Sequence, residues 1–135
     1  MNVSPTPTDY PPLRIMLGSE DGGLVDAGAP VLAGETVENL FADARSAGRA
    51  GALSLYRAGE WLFGAATVPL VEGLENASRH LYGNILHATH GLHLARIWNY
   101  VPAINEPGPG GLENYRIFCR ARSLAFEHHH GSGFK

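Results

Sequence analysis

At 135 residues, with a formal charge of −3 and 44% apolar residues, the chain is sized for one small domain with a modest core. Its ten basic residues are scattered, and all but Lys135 are arginine, so no basic stripe points to nucleic acid. No apolar run approaches the roughly 18 residues of a membrane helix, the N-terminus lacks the charged and apolar regions of a secretory signal, and the single cysteine, Cys119, excludes an intrachain disulfide. Together these features predict a cytoplasmic protein with neither nucleic-acid nor membrane partners.

Pro5, Pro7, Pro11 and Pro12 predict a flexible arm over residues 1–12. Leu13 to Leu17 (LRIML) is a short strand, and Gly18 to Gly34 is rich in turn residues. Val37, Leu40, Phe41 and Ala44 follow helical spacing, which predicts a short helix over Thr36 to Ala47. Ala52 to Tyr56 and Trp61 to Val68 read as a β-hairpin whose linker contains Gly59. The second of these runs is apolar on both faces and reads as a central strand. Val71, Leu74, Ala77, Leu81, Ile85 and Ala88 mark an amphipathic helix, with Gly91 placed to cap it. Leu92 to Val101 reads as a third strand ended by Pro102, and Glu106 to Gly111 as a loop. Leu112, Tyr115, Phe118, Cys119, Arg122, Ala125 and Phe126 mark a second helix, followed by an exposed tail with His128 to His130. The order predicts an α+β fold, a mixed β-sheet with two helices packed on one face. A single domain over residues 13–135 is expected, and its sheet is still incomplete where the sequence stops.

The polar residues of the third strand and second helix are the candidates for chemistry. Strand alternation puts Leu92, Leu94, Arg96, Trp98 and Tyr100 on one face and His93, Ala95, Ile97, Asn99 and Val101 on the other. Asn99 lies between Ile97 and Val101, where an unpaired amide is costly. It either bonds neighbouring backbone or forms a polar floor for an oxygen-rich ligand. Arg96, between Leu94 and Trp98, either pairs with a helix carboxylate or serves the same ligand. Arg122 shares a helix face with Tyr115, Phe118, Cys119 and Phe126. It either reaches the helix edge or grips an anion with its fork. Arg116 and Arg120 point elsewhere, into solvent. His80, His87, His90 and His93 offer His-x-x-His spacing, but Gly91 interrupts the helix and nothing completes a tetrahedral set, so no metal site is expected. Cys119 fits a small core residue better than a nucleophile. Nucleophile-elbow, P-loop and dinucleotide patterns are all missing from the sequence.

A family pattern lies in the same residues. Tyr82-Gly83-Asn84 to Leu86, Arg96-Ile97-Trp98-Asn99-Tyr100-Val101-Pro102, Ile104-Asn105, Gly111-Leu112-Glu113, Tyr115-Arg116, Phe118 and Arg122 together resemble the chorismatases. That family includes the 3-hydroxybenzoate synthases, and its members have been labelled pteridine-dependent dioxygenase-like. Trp61-Leu62-Phe63-Gly64 also fits. The resemblance covers roughly residues 50–135 and is weak before that.

The resemblance implies a cytoplasmic enzyme of secondary metabolism that hydrolyses the enol ether of chorismate. The products are pyruvate and either a dihydroxycyclohexadiene carboxylate or a hydroxybenzoate, and no metal or organic cofactor is implied. Two fused copies of a RidA/YjgF-type fold are implied, with the active site largely on the second. There a glutamate protonates the enol ether and arginines hold the carboxylates, chemistry suited to a dianionic substrate. This chain resembles only the N-terminal half. Glu106, Glu113 and Glu127 do not match the acid's position, so no catalytic residue is assigned. Trp98, Asn99, Tyr100, Tyr115 and Arg122 match family positions and are expected on the substrate side of a pocket. The expected function is therefore chorismatase-like, with the chain inactive alone and associated with itself or with a missing C-terminal half. A RidA-like oligomeric module that binds a small, chorismate-like carboxylate is the alternative.

Overall fold

The computed structural model of the protein describes residues 12–17, 24–40 and 43–130. The expected arm falls almost entirely outside them, and Pro12 already belongs to a strand. By its contacts the chain divides into two compact units, Met1–Gly48 with Ser54–Ala65, and Arg49–Leu53 with Ala66–Lys135.

The first unit contains β1 (Pro12–Leu17), β2 (Leu24–Pro30) and β3 (Val37–Leu40), in a sheet ordered β2-β1-β3. β1 runs antiparallel to β2, with Met16 opposite Leu24, and parallel to β3, with Arg14 opposite Val37. Two sequence expectations fail here. The turn-rich Gly18–Gly34 stretch contains β2, and the expected Thr36–Ala47 helix is replaced by β3 and the start of β4 (Arg45–Ala50). Helical spacing over so few residues is ambiguous. Pairing with β1 resolves it, because the parallel ladder satisfies the backbone groups of Val37–Leu40 in extended form.

A second sheet is ordered β4-β5-β6, where β5 is Leu53–Ala58 and β6 is Trp61–Ala65. The expected hairpin is present as β5 and β6, with Ala58 opposite Trp61. Gly59 has φ +59° in the intervening two-residue turn, a left-handed geometry that glycine adopts without cost. β6 is an edge strand, however, and β5 the central one. Ser54 is opposite Ala65, so the ladder ends there, and Ala66 to Val68 have no partner on β5. Tyr56 and Ala44 are buried together, with Ala58, Phe63 and Ala65 packed on them.

The second unit is built on α1 (Leu74–Ala88) and α2 (Asn114–His130). α1 buries Ala77, Ser78, Tyr82 and Leu86, and α2 buries Ile117, Phe118, Ala121 and Ala125. These are the three- and four-residue spacings of one apolar stripe on each helix. Thr89 caps α1, its N–H and hydroxyl both donating to the Ile85 carbonyl at 3.0 and 2.8 Å. Gly91 follows with φ +80°. Tyr82, Leu86, Phe118 and Ala125 form the buried cluster between the helices. Contacts advance in the same sense along both helices: Glu75 meets Arg120, Tyr82 meets Phe118 and Phe126, and His90 meets His129.

Helices that run in one sense oblige the chain to double back between them, and residues 92–113 make that return. Ile97, Val101 and Ile104 pack on the helix-pair cluster as it passes. Leu92–Val101 is not a strand: among the described residues nothing pairs with it. Of its ten residues only Ile97 and Val101 are partly buried, where they pack on the helix-pair cluster. The protein is thus α+β, with parallel and antiparallel pairing in two three-stranded sheets, where one mixed sheet was expected. Nor do the three histidines form a tail, since His128–His130 are the last turn of α2.

Candidate functional site

The return segment and the start of α2 carry the residues singled out in the sequence. Asn99 is exposed, although alternation groups it with the half-buried Ile97 and Val101. Its Oδ1 accepts a hydrogen bond of 2.8 Å from the hydroxyl of Tyr82, whose ring is only 2% exposed. This is neither of the two fates considered for it: the amide is held by a side chain of α1, and its N–H2 group remains able to donate.

On the outward side, Trp98 is 58% exposed and Tyr100 is also exposed. Arg96 stacks over the Trp98 ring, 5.6 Å from its centroid, where a helix carboxylate had been the expected partner. Arg122 is half-buried and covers the Phe118 ring at 5.7 Å. In both stacks the flat face of the guanidinium is used and its N–H edge is left for an anion. Neither arginine is in an ion pair among the described residues. Arg120 is exposed, as expected, and there pairs with Glu75 at 3.1 Å.

Tyr115 is 55% exposed, and its backbone N–H donates to the Ile104 carbonyl at 2.7 Å. The neighbouring Asn114 N–H donates to Glu106 at 2.9 Å, and Arg116 and Ile117 donate to Glu113. Helix N-termini often bind anions through free amides, but here those amides are already occupied. Asn114 also donates through its side chain to the carbonyl of Ala103 at 2.9 Å. Ala103 has φ +51°, a conformation that costs a non-glycine residue energy, so this bond helps to hold the turn. Gly108 is required nearby, because a Cβ there would collide with Asn114 and Ile117.

Another feature was not anticipated. A shallow depression of about 120 Å³ lies beside α1, lined by Ala52, Val68, Leu81, Glu72, His80 and Asn84 among others. Its floor is apolar, and at its rim His80 Nδ1 meets Glu72 Oε2 at 3.3 Å, with both side chains well exposed. The Asn84 amide lies close over Gly51, where any Cβ would clash with it. Local spacing gave no signal for the depression, because Glu72 precedes α1 and His80 lies within it. None of Trp98, Asn99, Tyr100, Tyr115 and Arg122 lines this depression. Among the described residues no group of three or more His, Cys, Asp or Glu side chains is arranged to hold a metal ion, and no helix is long and apolar enough to cross a membrane.

Fold and site therefore define an α+β chain with two stacked, unpaired arginines and an anchored amide on a helix-pair unit. Residues 40–134 match the family model described as chorismatase FkbO/Hyg5-like, N-terminal, and the chain belongs to that family. It is 34% identical over 122 residues to a chorismatase of Streptomyces hygroscopicus, covering 82% of this chain and 35% of that protein. A chorismatase of Streptomyces rapamycinicus is 42% identical over 74 residues, covering 53% and 22%. A 3-hydroxybenzoate synthase of Streptomyces hygroscopicus is 35% identical over 72 residues, covering 51% and 21%. The chain thus spans about a third, or less, of the length of these relatives. No solved structure matches it. The resemblance in the sequence is confirmed, and the first alignment reaches into the first fifty residues, where the match had looked weak.

Proposed function

We propose that this chain supplies the N-terminal part of a chorismatase-type enzyme, cytoplasmic and free of metal or organic cofactor. It forms one wall of the substrate pocket and turns over nothing alone. In the reaction of the complete assembly, water cleaves the enol ether of chorismate. Pyruvate leaves with either a dihydroxycyclohexadiene carboxylate or a hydroxybenzoate. The observation that carries this reading is the match of residues 40–134 to a family model described as N-terminal. Within the chain, Arg122 and Arg96 suit a carboxylate, Asn99 suits a hydroxyl or carboxylate oxygen, and Trp98, Tyr100 and Tyr115 suit the carbocycle. No glutamate is assigned as the general acid, which is supplied from outside this chain. RidA/YjgF-type architecture for this part belongs to the same proposal.

The test is a lactate dehydrogenase-coupled assay for pyruvate with purified chain and chorismate. Only the background rate of spontaneous breakdown is expected; enzymatic pyruvate release would sink the proposal. Native mass spectrometry distinguishes the alternative, a RidA-like oligomeric module, which predicts a discrete oligomer that binds a small carboxylate.

A further inference from the structure

Imidazoles gather where both helices of the second unit end. His90, in the turn after α1, meets the His129 ring edge-to-face with centroids 5.7 Å apart. His129 meets His130 in the same way at 4.8 Å. His130 stacks on Phe126 at 6.0 Å, and Phe126 touches the buried ring of Tyr82 at 6.1 Å. A continuous series of rings therefore joins the last turn of α2 to the core of the helix pair.

Among the described residues, the groups that shift His129 all act in one direction. Partial burial, and then His130, His90, His87 and His128, hold the His129 imidazole below its ordinary value of 6.5. The groups that act on it from α1 and the turn after it are His87 and His90, and those from α2 are His128 and His130; none is a carboxylate. Helix C-termini favour imidazolium through their dipoles. At His129 desolvation and like-charge repulsion outweigh that, as expected for charges at ring-contact distance.

We propose that this cluster is a pH-operated latch, closed while the His129 imidazole is neutral and opened when acidification charges it. In the closed state His90 holds the end of α2 against the end of α1. In the open state the charged His129 ring leaves its edge-to-face contacts and frees His128–His130, and the Tyr82–Phe118 contact deeper in the helix pair is retained. The sign follows from the depressed pKa. The latch is fully formed above pH 6.5 and is lost as pH falls through the lower value of the folded protein.

NMR of the full-length chain tests this. The cross-relaxation peak between the His90 and His129 rings should be strong at pH 7.5 and weaken at least fivefold once acidification has protonated His129, as its ring shifts report, with loss of helical shifts at His128–His130. In His129→Phe, which keeps a ring but removes the proton site, the helical shifts should no longer respond to acidification; circular dichroism checks that it folds. An unchanged cross-peak, helical shifts that still respond in the variant, or a response abolished by EDTA would each overturn the latch.

Discussion

Tyr82 is the residue on which most of the candidate site depends. Its ring fills the core between α1 and α2, and its hydroxyl fixes Asn99 across 17 residues of sequence. These roles are separable. Tyr82→Phe keeps the packing and removes one partly buried hydrogen bond, and should cost about 1 kcal/mol. Tyr82→Ala also empties the core and should cost about 3–5 kcal/mol. Urea unfolding of the two variants measures both, and equal losses would mean that the hydroxyl, not the ring, dominates. Part of this site was legible beforehand. Strand-like alternation correctly placed Trp98 and Tyr100 outward and Ile97 and Val101 inward, but Asn99, predicted to face inward with them, is exposed. Its partner was not legible, since nothing local connects Tyr82 to Asn99.

Between elements, apolar packing matters more than charge. Arg120 and Glu75 bridge the two helices at 3.1 Å, but both are substantially exposed, so Arg120→Ala should cost less than about 1 kcal/mol and less still in high salt. Ala121, 0% exposed on the inner face of α2, is more demanding. Ala121→Leu adds bulk where there is no room and should destabilise by about 1–3 kcal/mol. Thermal or urea unfolding of the pair ranks them, and a larger loss for Arg120→Ala would contradict this account. The helices were readable because their apolar spacing persists over several turns. The strands β2 and β3 were not, because β2 lies in a turn-rich stretch, β3 is only four residues long, and both are defined by pairing with β1.

For the molecule as a whole, the apolar residues left outside are as informative as those within. Leu92, Leu94, Trp98, Tyr100 and Tyr115 are all exposed, while the relatives are about three times as long as the part this chain aligns with, or more. Under the proposed function these residues are covered by the remainder of the enzyme. Co-expression with the later region of the Streptomyces hygroscopicus chorismatase should retain this chain on a tagged partner and shift Trp98 emission to the blue. Trp98→Phe identifies that signal against Trp61. Failure to co-purify, with unchanged emission, would count against the proposed partner.

The amino-acid sequence by itself determined the two helices, the β5–β6 hairpin, the inward placement of Ile97 and Val101, and the family. Each is encoded in local spacing or in a contiguous motif. Tertiary structure alone decided that Val37–Leu40 is extended, that β6 lies at an edge, and that the Leu92–Val101 segment rests on helices. It also decided that Tyr82 holds Asn99. Periodicity reports which side of a segment is buried; what buries it is set by contacts between residues distant in sequence, and those appear only once the chain has folded.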